Sequence, residues 1–237
     1  MMLSLRIISR LLDYPNEELW LHIHELAEAV SECSELTEQQ RQTLNSWIDE
    51  YRQQSLFDAQ AQYCALFDRG RALSLLLFEH VHGQSRDRGQ AMIDLLEQYQ
   101  TAGLQLNAKE LPDHLPLYLE YLAIVPQAEA IQGLDDIVPI LSLLAERLNH
   151  RQSRYAFLMT LLLELASIDV NLAPIVDKVR QEPRDDTPQA LDQVWEEEQV
   201  TFMDNADCDS QTKHHQRRFA DRIQPQYLDV SQLAGGQ

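Results

Sequence analysis

Apolar residues along this chain return every three or four positions almost from end to end, the spacing of helices that bury one face. Leu5, Ile8 and Leu12 open the pattern, a Tyr14-Pro15-Asn16 break interrupts it, and Leu19, Ile23, Leu26, Ala27 and Val30 form the next stripe. Thr37 with Gln40 reads as a capping pair that starts a helix carrying Trp47 and Tyr51. Ala59, Tyr63, Leu66 and Phe67 follow and stop at Gly70, and Met92, Leu95, Leu96 and Tyr99 stop at Gly103, the usual place of glycine beyond a helix end. Asp113 is expected to cap a helix with Pro116 in its first turn. Two long amphipathic helices are expected over 127–149 and 151–168, folded back on each other, with Pro139 a candidate kink in the first.

The pattern changes after Asp169. Pro174, Pro183 and Pro188 punctuate it, and the charged run 180–186 reads as a linker. Thr187-Pro188 then suits the start of another helix, with Leu191, Val194 and Trp195 on one side and Glu196, Glu197 and Glu198 on the other. The expected fold is all-α: a single helical bundle domain over 1–202, with 183–202 a helix after the linker, and a mobile acidic and polar tail over 203–237.

Composition narrows the function. With 44% hydrophobic residues a real core is expected, and 7 glycines suit helices better than hairpins or phosphate-cradling loops. A formal charge of −19 disfavours nucleic acid and anionic lipid and favours a basic polypeptide partner. Cys33, Cys64 and Cys208 are too dispersed for a disulfide framework or a zinc knuckle. Arginines within the apolar pattern of 1–12 argue against a secretory leader, and no apolar run reaches the ~20 residues of a membrane span, so a cytoplasmic location is expected.

Catalytic patterns are missing. The chain has no H-E-x-x-H, P-loop, G-x-G-x-x-G or nucleophile elbow. His80 and His82 would diverge by about 200° on a helix, which is poor for a shared metal. The expectation is a binding protein rather than an enzyme, with no metal and no stably bound cofactor.

Two blocks are more specific. One runs from Asp58 through Tyr63, Phe67 and Gly70 into Leu75-Leu76-Leu77-Phe78-Glu79-His80-Val81-His82 and on to Arg86, Arg88, Gly89 and Met92; the other spans Glu110 to Leu122. Glu110, Pro112, Asp113 and His114 match a Glu-x-Pro-Asp-His signature. With the stretches 185–192 and 194–200, these blocks resemble the TorD/DmsD group of redox-enzyme maturation chaperones, in its respiratory nitrate reductase assembly branch. The likeness covers nearly the whole chain and is loosest over 20–55 and after 203. It does not separate the paralogues within that branch.

The resemblance implies a chaperone that binds the basic, amphipathic N-terminal segment of the nitrate reductase catalytic subunit. It would hold that subunit while the molybdenum cofactor and an iron–sulfur cluster are inserted, then leave. The residues proposed to meet the client are Tyr63, Phe67, Phe78, Glu79, His80, His82, Arg86, Asp113, His114, Tyr118, Glu120 and Tyr121. The aromatic ones would wall an apolar groove, His114 would lie solvated in the first turn of its helix and titrate near neutrality, and the arginines would pair with Asp68 and Asp87 to tie the central loop. A general helical adaptor without any part in cofactor delivery is the alternative.

Overall fold

The computed structural model describes residues 2–81, 86–106, 110–168, 173–190 and 192; of Arg86, Asp87, Ala173, Pro174 and Lys178 it describes the backbone alone. The chain divides into two compact units, Met1–Pro188 and Gln189–Gln237, and the described residues fall almost wholly in the first. The expected helix over 183–202 begins within them, Pro188 to Ala190 being helical, and its continuation and the tail lie outside them.

The described residues form ten helices and no named strand: α1 (Leu3–Leu12), α2 (Glu17–Val30), α3 (Glu38–Tyr51), α4 (Leu56–Phe67), α5 (Leu77–Val81), α6 (Arg86–Thr101), α7 (Leu115–Ile124), α8 (Gln127–His150), α9 (Ala156–Leu165) and α10 (Ala173–Gln181). No described helix is long and apolar enough to cross a membrane. Local chemistry explains several starts. Thr37 and Gln40 form the reciprocal capping box at the head of α3, and Asn16 and Ser55 accept backbone N–H groups at the heads of α2 and α4. Gly103 ends α6 with φ +83, a conformation that costs glycine little.

α1 lies at the centre, with Leu5, Ile8, Leu11 and Leu12 fully buried. It packs on α7, and the contact is polar as well as apolar: Ser9 Oγ donates to Pro116 O at 2.7 Å, and Met2 N–H donates to Ala123 O at 3.2 Å. α7 in turn presses on α8 at Gly133, where an added Cβ would stand 2.5 Å from Leu122 Cδ2 and 2.9 Å from Tyr118 Oη. Glycine is therefore required by packing at that crossing. α8 continues through Pro139 and then turns back at 151–155, with Gln152 at φ 53, so that α9 packs along it. α9 is shorter than the 151–168 expected because the turn takes its first residues and Ala166 leaves helical geometry.

A second packing centre is aromatic. Tyr51, Trp47, Tyr63, Phe67 and Tyr155 meet edge to face or stacked, with Tyr155 between 5.1 and 6.4 Å from the others. Their polar atoms are satisfied: the Tyr51 and Tyr155 hydroxyls share a bond of 3.1 Å, Tyr63 Oη donates to Leu12 O, and Trp47 Nε1 donates to Arg154 O.

The end of the first unit differs from the sequence expectation. α10 occupies part of a stretch that composition leaves unassigned, and the 180–186 run is fastened rather than free. Arg147 and Arg151, one turn apart at the end of α8, hold Glu182, Asp185 and Asp186. In sequence the charged run reads as a linker; paired with two nearly buried guanidinium groups, the same charges become attachments.

Candidate functional site

The two signature blocks meet in space. Residues 75–77 lie beside 113–115 as a short antiparallel pair, Leu77 N–H donating to Asp113 O at 2.9 Å and Leu115 N–H to Leu75 O at 2.8 Å. The Asp113 side chain does not cap α7, as its position in sequence suggested. His114 takes that cap position, without a side-chain bond, and Pro116 follows in the first turn. Asp113 is fully buried and its Oδ2 accepts Phe78 N–H at 3.0 Å, capping α5 across the junction. Its other oxygen, Oδ1, has no hydrogen-bond partner among the described residues. Arg88 sits 4.0 Å from Asp113 and 3.8 Å from Glu79, so it serves this junction; the Asp87 side chain with which it was expected to pair lies outside the described residues.

Two histidines flank the junction. His80 Nε2 lies 2.8 Å from Ser74 O, and because a carbonyl only accepts, that nitrogen carries the proton. Burial pushes the pKa of His80 down, Arg147 adds to this, and the bond to Ser74 opposes it. His114 is also pushed down, chiefly by burial and against the pull of Glu110, Asp13 and Asp113. The solvated, freely titrating His114 expected from sequence is corrected: the ring is half-buried at the cavity wall and burial favours its neutral form.

Next to His114 the surface opens into a cavity of about 250 Å³. Its polar rim is Asp13, Glu110, Glu120 and His114, and its apolar lining includes Tyr99, Leu104, Leu106 and Leu117. Glu120 is bridged to Arg10 at 2.8 Å, at a point where both are partly solvated. Three carboxylates over an apolar lining suit a cationic side chain flanked by an apolar one. Tyr121, half-buried against Tyr99 and Tyr118, faces a larger open groove of about 650 Å³ edged by Asp94, Glu97 and Glu129.

The structure thus draws Phe78, Glu79, His80, Asp113, His114 and Glu120 to one junction and its rim, and leaves other candidates elsewhere. Tyr63 and Phe67 belong to the aromatic centre, and Tyr118 is buried with its hydroxyl donating to Gly133 O at 3.1 Å. Their rings serve as packing in this structure, because helical aromatics with satisfied hydroxyls fill a core efficiently. Burial pushes the Tyr63 phenol up, and the charges of Asp13, Asp68 and Glu110 add to it. His82 and the Arg86 side chain lie outside the described residues. Asp13, Leu104 and Leu106 escaped sequence reasoning because they come from separate loops with no local signal. Glu110 stood in the signature but was not counted among the client contacts. Among the described residues no group of three or more His, Cys, Asp or Glu side chains is placed to hold a metal ion.

The site is thus an acid-rimmed, apolar-lined cavity beside a short backbone junction in a helical bundle. The model of the family described as nitrate reductase delta subunit matches residues 23–160, and the chain belongs to that family. It is 56% identical over 237 residues, all of both chains, to the nitrate reductase molybdenum cofactor assembly chaperone NarJ of Escherichia coli K12. It is 47% identical over 235 residues, 98% of each chain, to the probable nitrate reductase molybdenum cofactor assembly chaperone NarW of the same strain. A probable chaperone of the same description from Bacillus subtilis 168 is 29% identical over 159 residues, 66% of this chain and 84% of that one.

Proposed function

We propose that this chain is a dedicated assembly chaperone for a respiratory nitrate reductase. It holds the basic, amphipathic N-terminal segment of the catalytic subunit while the molybdenum cofactor and an iron–sulfur cluster are inserted, and then releases it. The observation that carries this reading is the convergence of Glu110, His114 and Glu120 with Asp13 around one apolar-lined cavity. The descriptions of the relatives support the client and the cofactor, and the cavity supports the chemistry of the grip. The carboxylates receive a lysine or arginine, and Leu104, Leu106 and Leu117 receive its apolar neighbour.

The expected affinity is modest. A few apolar anchors at ~1.5–3 kcal/mol each, less the cost of ordering the segment, leave a Kd on the order of micromolar, weak enough for release. The molybdenum cofactor is cargo of the client in this scheme, and the chaperone keeps none bound.

Calorimetric titration of a peptide copying the client's first residues tests the grip. The Glu110→Gln/Glu120→Gln double variant should fold normally and bind roughly tenfold more weakly, with a smaller dependence on salt. Equal affinity and equal salt dependence would move the seat away from this cavity. Deleting the gene should leave the nitrate reductase poor in molybdenum, and a fully loaded enzyme in the deletion strain would remove the cofactor role.

A further inference from the structure

Residues 182–186 form a clasp. Arg147 holds Glu182 in a two-pronged pair, Nε to Oε2 at 2.8 Å and Nη2 to Oε1 at 3.0 Å, and its remaining Nη1 donates to Ala72 O at 2.7 Å. Arg151 holds Asp185 Oδ1 at 2.6 Å, with its side chain only 8% exposed. The second oxygen of Asp185 accepts Ala72 N–H at 2.7 Å. Ala72 is therefore gripped on both its N–H and its C=O, by two side chains far away in sequence.

Gly70 adds a steric signature. Its φ is +81, and a Cβ there would stand 2.3 Å from Asp185 Oδ2. Both the backbone conformation and the close approach of a carboxylate exclude a larger residue. The loop has been shaped around Asp185, which a loosely tethered linker would not require.

What the clasp holds is the lead-in to the signature junction. Three residues beyond Ala72, Leu75 O receives Leu115 N–H, and two further on Leu77 N–H reaches Asp113 O. A strip this short has little register of its own, since two backbone bonds and one capping carboxylate fix it on one side only. We infer that Asp185, with Arg147 and Arg151, is a positioning residue: it anchors Ala72 so that 75–77 pairs in register with 113–115 and holds the loop that carries His114 to the cavity. The consequence for client binding rests on the function proposed above; the positioning itself does not.

Residue-resolved amide hydrogen exchange on the full chain tests it. In Asp185→Ala, exchange at Leu77 and Leu115 should quicken roughly tenfold or more, while Leu141 and Leu158 in α8 and α9 keep their rates. Asp185→Asn, which retains an acceptor for Ala72 N–H and loses the charge facing Arg151, should give a smaller change and carries the test if the alanine variant melts globally. Gly70→Ala should act like Asp185→Ala. Faster exchange at Ala72 alone, with Leu77 and Leu115 unaltered, would overturn the inference.

Peptide titration separates this from the proposed function. If wild type binds the client peptide, Asp185→Ala should weaken it several-fold, and an unchanged Kd would remove the link to the grip. If wild type does not bind, the functional reading fails while the exchange result still decides the clasp.

Discussion

In the aromatic centre, rings from α3 and α4 surround Tyr155, and their hydroxyls and the Trp47 indole N–H all find partners. At the signature junction the buried group is a carboxylate, one of whose oxygens is bare, flanked by two histidines whose charging burial opposes. The first arrangement is what stability asks for: large apolar surface removed from water and no polar atom stranded. The second spends stability on a shape. A buried carboxylate is costly unless its bonds are made, and here it is held so that two short segments meet at a chosen angle. Packing and the proposed grip fall to different parts of the bundle.

Substitutions should therefore separate stability from binding. The largest effect is expected for Tyr155→Ala, which empties the aromatic centre and strands the Tyr51 hydroxyl. Loss of about 3–5 kcal/mol in urea unfolding is expected, with the folded fraction binding client peptide as wild type does. Asp113→Ala should cost less, about 1–2 kcal/mol, through the lost cap on Phe78 N–H, yet should weaken peptide binding clearly. Equal damage to binding from both variants would erase the distinction.

The smallest effect concerns pH. His80 and His114 have folded pKa values below the ordinary 6.5 because burial resists their charge. Below that value the unfolded chain takes up protons that the folded chain refuses. The two rings thus contribute stability that is complete above it and lost as pH falls toward their folded values. The urea midpoint should drop from pH 7.5 to 5.5 more in wild type than in His80→Gln/His114→Gln. The aromatic centre, whose rings include no histidine, should add nothing to this pH dependence.

Much of the fold was legible because it is written locally. The Thr37–Gln40 box, the stop at Gly103 and the stripes of α8 and α9 depend on residues within a turn or two of each other. Asp113 was misread for the same reason: a carboxylate just before a Pro-marked helix looks like its cap, and the donor it serves, Phe78 N–H, is 35 residues away. The 180–186 run was misread because a charged stretch betrays nothing of the arginines waiting on another helix. The cavity rim was only half legible, its signature members standing together and Asp13 far upstream. Tyr63 and Phe67 fitted a groove as well as a core in sequence, and only their partners decide between the two.

The contact of α1 with α7 also sets a schedule. Ser9 bonds Pro116 across 107 residues, and Asp13, on the loop just after α1, faces Glu110 and His114 across the same cavity. The face of α1 that meets α7 must wait, apolar and uncovered, until roughly a hundred further residues have been made. A growing chain cannot form the cavity before α7 supplies Leu117 and Glu120, so the proposed seat exists only once α1 and α7 have closed on each other.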